Sequence, residues 1–240
     1  TGDGRTLYFY SDRAGGQGGY DLWLVRRLDD PEASLRDAEW GEAQNLGPLV
    51  NSAYNDYAPA PSPDGATLYF ASNRPLPEEQ THDPSDNWPA TVREQIERRT
   101  YDLYAAPLTP RGHALAERLA ALCTDANEGT PAVSPAGDFL YFASDRAGGA
   151  GGLDIYRARL RDGVAPRAEA LGWPINTPAN ELDPELSMHG FALHFSSDRA
   201  PTPEHAETDG DSTGTDGATS AERPHAYAIY STVSREVFRE

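Results

Sequence analysis

Apolar and polar residues alternate in short runs along the chain, and one such run recurs four times: Thr6-Leu-Tyr-Phe-Tyr-Ser-Asp-Arg13, Thr67-Leu-Tyr-Phe-Ala-Ser-Asn-Arg74, Phe139-Leu-Tyr-Phe-Ala-Ser-Asp-Arg146 and Ala192-Leu-His-Phe-Ser-Ser-Asp-Arg199. Each is aromatic-rich and ends in a polar cap, the pattern of a short strand. A turn signal precedes each: Asp3-Gly4, Ser62-Pro63-Asp64-Gly65, Ser134-Pro135-Ala136-Gly137 and Ser187-Met188-His189-Gly190. Pro presets one turn residue and Gly accepts positive φ, so a strand enters from the other side of each turn. The entering strands are expected at 57–62, 130–134 and 183–187. After each arginine come a loop and a third strand that opens on Tyr20, Tyr101, Leu153 or Tyr227, and weaker fourth strands are expected near 43–46, 117–122, 168–171 and 237–239.

Four short antiparallel strands joined by turns make one β-propeller blade, so an all-β propeller domain over 1–240 is expected, with four repeats that form a ring or part of a larger one. The blades fall at about 1–50, 51–124, 125–176 and 177–240, with insertions at 75–100 and 200–225. The chain opens at the turn between first and second strands, so blade one is expected to lack its innermost strand. Within the first insertion, a proline at 89 and Val92 and Ile96 one turn apart predict one short helix, with Trp88 as an anchor. The second is rich in Asp, Gly, Thr and Ser and reads as a solvated acidic loop.

The Ser-Pro-Asp-Gly turn, the Leu-Tyr-Phe-x-Ser-Asp-Arg strand and the Gly-rich loop before Asp-Ile-Tyr together resemble the WD40-like PD40 repeat of TolB-type propellers. The likeness spans nearly the whole chain outside the insertions. The last repeat departs from it, since Ala228 replaces the Asp and no Gly-rich loop follows Arg199. The resemblance implies a propeller scaffold for protein or ligand contact without shared catalytic residues. Similar propellers occur in bacterial envelope proteins beside OmpA-like or TPR modules, which implies a periplasmic or extracellular location.

In such a blade the inter-blade connections and the loops between second and third strands share one face. On it stand Asp56, Glu128 and Glu181, each after an asparagine and just before an innermost strand, with Arg13, Arg74, Arg146 and Arg199 at the ends of second strands and Asp21, Asp102 and Asp154 at the starts of third strands. Two readings follow. The carboxylates pair with the arginines and knit adjacent blades, or they remain partly free around the channel mouth and hold a cation or a basic side chain. In a four-membered ring the two insertions are diagonal and frame an anionic cleft, lined by Asp56, Glu128 and Glu181 with Trp88, Val92 and Ile96 as apolar anchors.

Acidic residues outnumber basic ones 38 to 20, for a net charge of −18, so the field repels nucleic acid and favours a basic protein or peptide partner. No apolar run approaches bilayer length, so membrane insertion is not expected. The single Cys123 follows an apolar stretch and reads as core. Asp209, Asp211 and Thr213 resemble the beginning of a calcium loop, but Ser220 stands where a bidentate Glu belongs, which makes them weak metal candidates. The loops at 14–19 and 147–152 are glycine-rich but lack a lysine and a following helix, a poor match to a phosphate cradle. No HExxH or Gly-x-Ser-x-Gly pattern occurs, so a non-enzymatic scaffold without a cofactor is expected, the alternative being a propeller accessory to a hydrolase or peptidase domain elsewhere.

Overall fold

The computed structural model describes residues 1–29, 38–76, 99–109, 112–160, 167–187, 189–190, 192–200 and 227–232. These form four antiparallel sheets, one per repeat. The first contains β1 (Thr6–Ser11), β2 (Asp21–Arg26) and β3 (Gln44–Asn45) in that order. The second runs β4 (Asp56–Pro61), β5 (Thr67–Ser72) and β6 (Asp102–Thr109), with β7 (Gly112–His113) and β8 (Glu117–Arg118) both paired to β6. The third has β9 (Glu128–Val133), β10 (Phe139–Ser144), β11 (Asp154–Arg159) and β12 (Ala168–Ala170); the fourth has β13 (Glu181–Leu186), β14 (Leu193–Ser197) and β15 (Ala228–Thr232). Chain order is strand order across each sheet, the meander of a propeller blade.

Register repeats as closely as sequence. Phe9 faces Trp23, Phe70 faces Tyr104, Phe142 faces Tyr156 and Phe195 faces Tyr230. The turns into the second strands close on Gly4, Gly65, Gly137 and Gly190, all at φ between +66° and +75°.

The apolar core lies in the seams between blades. Leu22 packs with Val50, Leu68 and Phe70; Leu103 with Leu122, Leu140 and Phe142; Ile155 with Ile175, Leu193 and Phe195. Each seam joins one blade's third strand to the next blade's second strand. Each fully buried Leu or Ile in a seam contributes about 2 kcal/mol, so no blade buries its face without a neighbour. At the ends of the array the equivalent positions are open: Leu7 is 50% exposed where Leu68, Leu140 and Leu193 are 0%, and Ile229 is 83% exposed where Leu22, Leu103 and Ile155 are 0%.

One expectation changes. The innermost strands begin on the acids themselves, because the amides of Asp56, Glu128 and Glu181 donate to the carbonyls of Tyr20, Tyr101 and Leu153 in the preceding blade at 2.6–2.8 Å. Among the described residues no strand of the fourth sheet contacts a strand of the first. In the first sheet β1 pairs with β2 alone among the described residues. The helix expected around Val92 and Ile96, with Trp88, and the outer strand at 237–239 lie outside the described residues. Among the described residues no helix is long and apolar enough to cross a membrane.

Candidate functional site

The connection face is built from one unit used three times. Each begins with a hydroxyl residue, Ser52, Thr124 or Thr177, whose amide and hydroxyl both donate to the carboxylate four residues later, at 2.6–2.9 Å in Asp56, Glu128 and Glu181. The same carboxylates accept from Nη2 of Arg74, Arg146 and Arg199 at 2.6, 3.0 and 3.1 Å. Ser144 and Ser197 add a hydroxyl donor to Glu128 and Glu181. All three acids are fully buried. Their geometry is that of the pairing reading: the negative charge is met inside the protein, and no free carboxylate faces the channel mouth at these positions.

The arginines are held as firmly as the acids. Nε of each donates to the hydroxyl two residues before it, Ser72, Ser144 or Ser197, at 2.8–3.0 Å. Nη2 also reaches a main-chain carbonyl in the connection, that of Val50, Leu122 or Ile175. The guanidinium lies 4.5–5.5 Å above a pair of rings: Phe70 and Tyr104, Phe142 and Tyr156, or Phe195 and Tyr230. Cation–π contact and a charge-assisted hydrogen bond thus converge on one planar group, a combination lysine does not match. Each arginine joins the connection, the innermost strand and the outer rings of its blade. The sequence placed these arginines beside the acids but not over the rings; the signal was a Phe four residues before every one.

The asparagine before each acid fastens the neighbouring blade. Asn55, Asn127 and Asn180 accept from the amides of Tyr20, Tyr101 and Leu153 at 3.0–3.2 Å. A second asparagine, Asn51 or Asn176, clamps the amide and carbonyl of Leu22 or Ile155 at 2.8–3.0 Å. Cys123 occupies the corresponding place in the middle seam, where Sγ accepts from the Leu103 amide at 3.3 Å. Burial pushes its thiol up to about 12, so it is a poor nucleophile.

Asp21 and Asp154 take the backbone of their own glycine loops. Gln17 donates to Asp21 Oδ2 at 2.5 Å, and the amides of Ala150 and Gly151 donate to Asp154 Oδ2 at 2.8 and 3.2 Å. The loop amides that a phosphate would need are therefore filled by an internal carboxylate. Asp102 follows a long insertion and pairs instead with Arg118 at 2.8 Å. Asp102, Cys123 and Glu128 lie within 4.8 Å of one another, but both carboxylates already accept from a guanidinium and the thiol is protonated. That chemistry is unlike a cation's donor set. The candidates Trp88, Val92, Ile96, Asp209, Asp211 and Thr213 lie outside the described residues.

Other residues do open onto this face. Tyr57 packs edge-on against Tyr10 and Tyr101 with centroids at 5.9 and 4.7 Å, and Tyr10 against Tyr20 at 5.7 Å. Tyr10 and Tyr20 are exposed. The Tyr57 hydroxyl abuts Gly129, where any side chain would collide with it. Desolvation raises the Tyr57 phenol, and the nearby Tyr101 and Asp183 push it further the same way. Asp183 and Glu185 are exposed residues of β13, and partial desolvation raises both carboxyls, against a Ser196 hydrogen bond at Asp183 and the nearby His194 at Glu185. Neither forms an ion pair with an arginine among the described residues. Ala58, Thr130 and Asp183 hold φ between +43° and +52°, each before a proline and inside a bulge of an innermost strand. A non-glycine residue in that region costs about 1–3 kcal/mol, and the strain recurs at the same place in three blades.

Repeated meander sheets, seams that need a neighbouring blade and arginine-locked connections define a β-propeller blade array, a rigid scaffold. The TolB-type propeller is the fold it matches among solved structures. A TolB-type structure from Agrobacterium tumefaciens aligns over 81% of this chain and 51% of its own, at TM-score 0.50 and 17% identity. TolB from Acinetobacter baumannii aligns over 84% and 37% at TM-score 0.50 and 16% identity. The chain thus spans about half of the first and about a third of the second. A puromycin-hydrolysing peptidase from Mycobacterium tuberculosis aligns at TM-score 0.39, too loose a likeness to bear on function. No family model and no curated protein matches the chain.

Proposed function

We propose that this propeller is a non-enzymatic scaffold that docks a basic protein or peptide segment on its connection face. The observation that carries the reading is the tyrosine cluster in which the exposed Tyr10 and Tyr20 join the half-buried Tyr57, on the face that also carries Asp183, with Glu185 two residues along the same strand. Tyrosines give large contact area at little entropic cost, and carboxylates unpaired to arginine supply complementarity to lysine or arginine. The net charge of −18 steers a cationic partner toward the surface. An envelope location is the setting that the PD40-type repeats suggest.

An array of random 12-residue peptides tests the reading. Peptides retained by the chain are expected to be enriched in Arg and Lys and to be recovered uncut. Retention should fall about tenfold in Asp183→Asn with Glu185→Gln, a loss of about 1.4 kcal/mol. Because both carboxyls are raised, retention should also strengthen as pH rises through their titration. Retention of uncharged or acidic peptides, or recovery of cleaved ones, overturns the proposal.

A further inference from the structure

On the third blade, arginines gather on one sheet face at the end away from the connections. The register sets Tyr141, Arg157 and Glu169 in one row across β10, β11 and β12. In the next row Phe139 stands opposite Arg159, and the ladder continued by one residue puts the exposed Arg167 on the other side of Arg159. Both guanidiniums of β11 lie over one ring, Arg157 at 5.2 Å and Arg159 at 5.1 Å from the Phe139 centroid. Glu169 approaches Arg157 only to 4.0 Å, with its own side chain 66% exposed, which makes a weak pair. Among the described residues no carboxylate pairs with Arg159 or Arg167. Like charges directly opposite each other on neighbouring strands are destabilising, so folding alone does not favour this row. Beside it Tyr141 is fully buried, and its hydroxyl has no hydrogen-bond partner.

The scaffold does not require these arginines. In the second blade the places of Arg157 and Arg159 are held by Ala105 and Pro107, opposite Tyr69 and Thr67. In the first they are held by Leu24 and Arg26, opposite Tyr8 and Thr6. We propose that Arg159 and Arg167, with Arg157 beside them, form a binding site for a phosphoryl group on the face opposite the connections. Three guanidiniums against one carboxylate leave two positive charges to be met, which a phosphate dianion matches and a single carboxylate does not. A guanidinium donates parallel N–H groups to two phosphate oxygens, and the Phe139 ring holds two of the three groups in place. The net charge of −18 does not prevent this, because charges further away than about 8 Å are screened at physiological salt. Both the face and the chemistry are opposite to those of the basic segment proposed above, so the two proposals stand or fall separately.

The soluble probe is glycerol phosphate, set against acetate at matched ionic strength. The full chain is titrated with each by calorimetry and thermal shift, and is floated with phosphatidylcholine vesicles with and without phosphatidic acid. Expected are saturable binding of the phosphate ester, a raised melting temperature and no comparable effect of acetate. Arg159→Ala and Arg167→Ala should each bind the ester about tenfold more weakly, the loss of one charge-assisted contact, and Arg159→Lys should fall between. Arg26→Ala, and Asp183→Asn with Glu185→Gln, should leave the affinity unchanged. Flotation with phosphatidic acid that Arg159→Ala abolishes assigns the phosphoryl group to a lipid, and binding of the ester without flotation assigns it to a soluble molecule. Arg167 is exposed, so Arg167→Ala keeps the test decisive should Arg159→Ala fail to fold. Absence of saturable binding, equal responses to ester and acetate, or undiminished binding by Arg167→Ala would overturn the proposal.

Discussion

Asp21, Asp154 and Cys123 are positions at which the repeated unit is incompletely satisfied. Oδ1 of Asp21 is buried without a partner, and burial raises the carboxyl above its ordinary value, with Asp56 pushing the same way against the Gln17 amide. A carboxyl raised in the folded state contributes stability that is present below its unfolded pKa, near 3.8, and is lost as pH rises through the folded value. Asp21→Asn is therefore expected to gain stability relative to the unchanged chain between pH 4 and pH 7, read as the difference in melting temperature across that range. An identical pH slope in the two proteins would contradict the assignment. Cys123 stands where Asn51 and Asn176 clamp a neighbouring strand, and its Sγ accepts at 3.3 Å where their Oδ1 accept at 2.8 and 2.9 Å. Cys123→Asn restores the stronger pair and is expected to raise stability by about 1 kcal/mol in urea unfolding.

At the scale of the elements, the glycine loops and the strained bulges carry opposite demands. Gly151 runs against the main chain of the next connection, where a Cβ would fall inside the carbonyl oxygens of Thr177 and Ala179. Gly151→Ala is expected to cost about 1–3 kcal/mol in urea unfolding through displacement of that backbone. Ala58 already holds φ at +51°, so Ala58→Gly relieves strain and should leave the midpoint unchanged or higher. The strands themselves were legible because a meander is local: an aromatic run, a turn with Gly and a second run specify one another within about 20 residues. The first residue of each innermost strand was not legible, since Asp56, Glu128 and Glu181 become strand through hydrogen bonds to the preceding blade. Which of the two readings of these carboxylates holds was not legible for a related reason. Sequence shows that Asp56 and Arg74 share a face, but only the packed rings of Phe70 and Tyr104 show that the guanidinium is fixed where it meets the acid.

Across the whole molecule, the seams make stability cooperative between neighbours, and the arginine–acid pairs set how blades meet. A buried carboxylate without its cation is strongly unfavourable, about 3–5 kcal/mol, whereas removal of both partners together is far less so. That asymmetry separates a scaffold role for Asp56, Glu128 and Glu181 from a ligand-binding one. The decisive measurement is a double-mutant cycle on the middle pair, with urea unfolding of the unchanged chain, Arg146→Leu, Glu128→Leu and the double variant. Pairing inside the scaffold predicts that Arg146→Leu costs about 3–5 kcal/mol and that the double variant loses less than the two single losses combined, with a coupling of at least ~1 kcal/mol. Single losses within about 0.5 kcal/mol of zero that simply add would contradict it, and would return these carboxylates to the surface as ligand-binding groups.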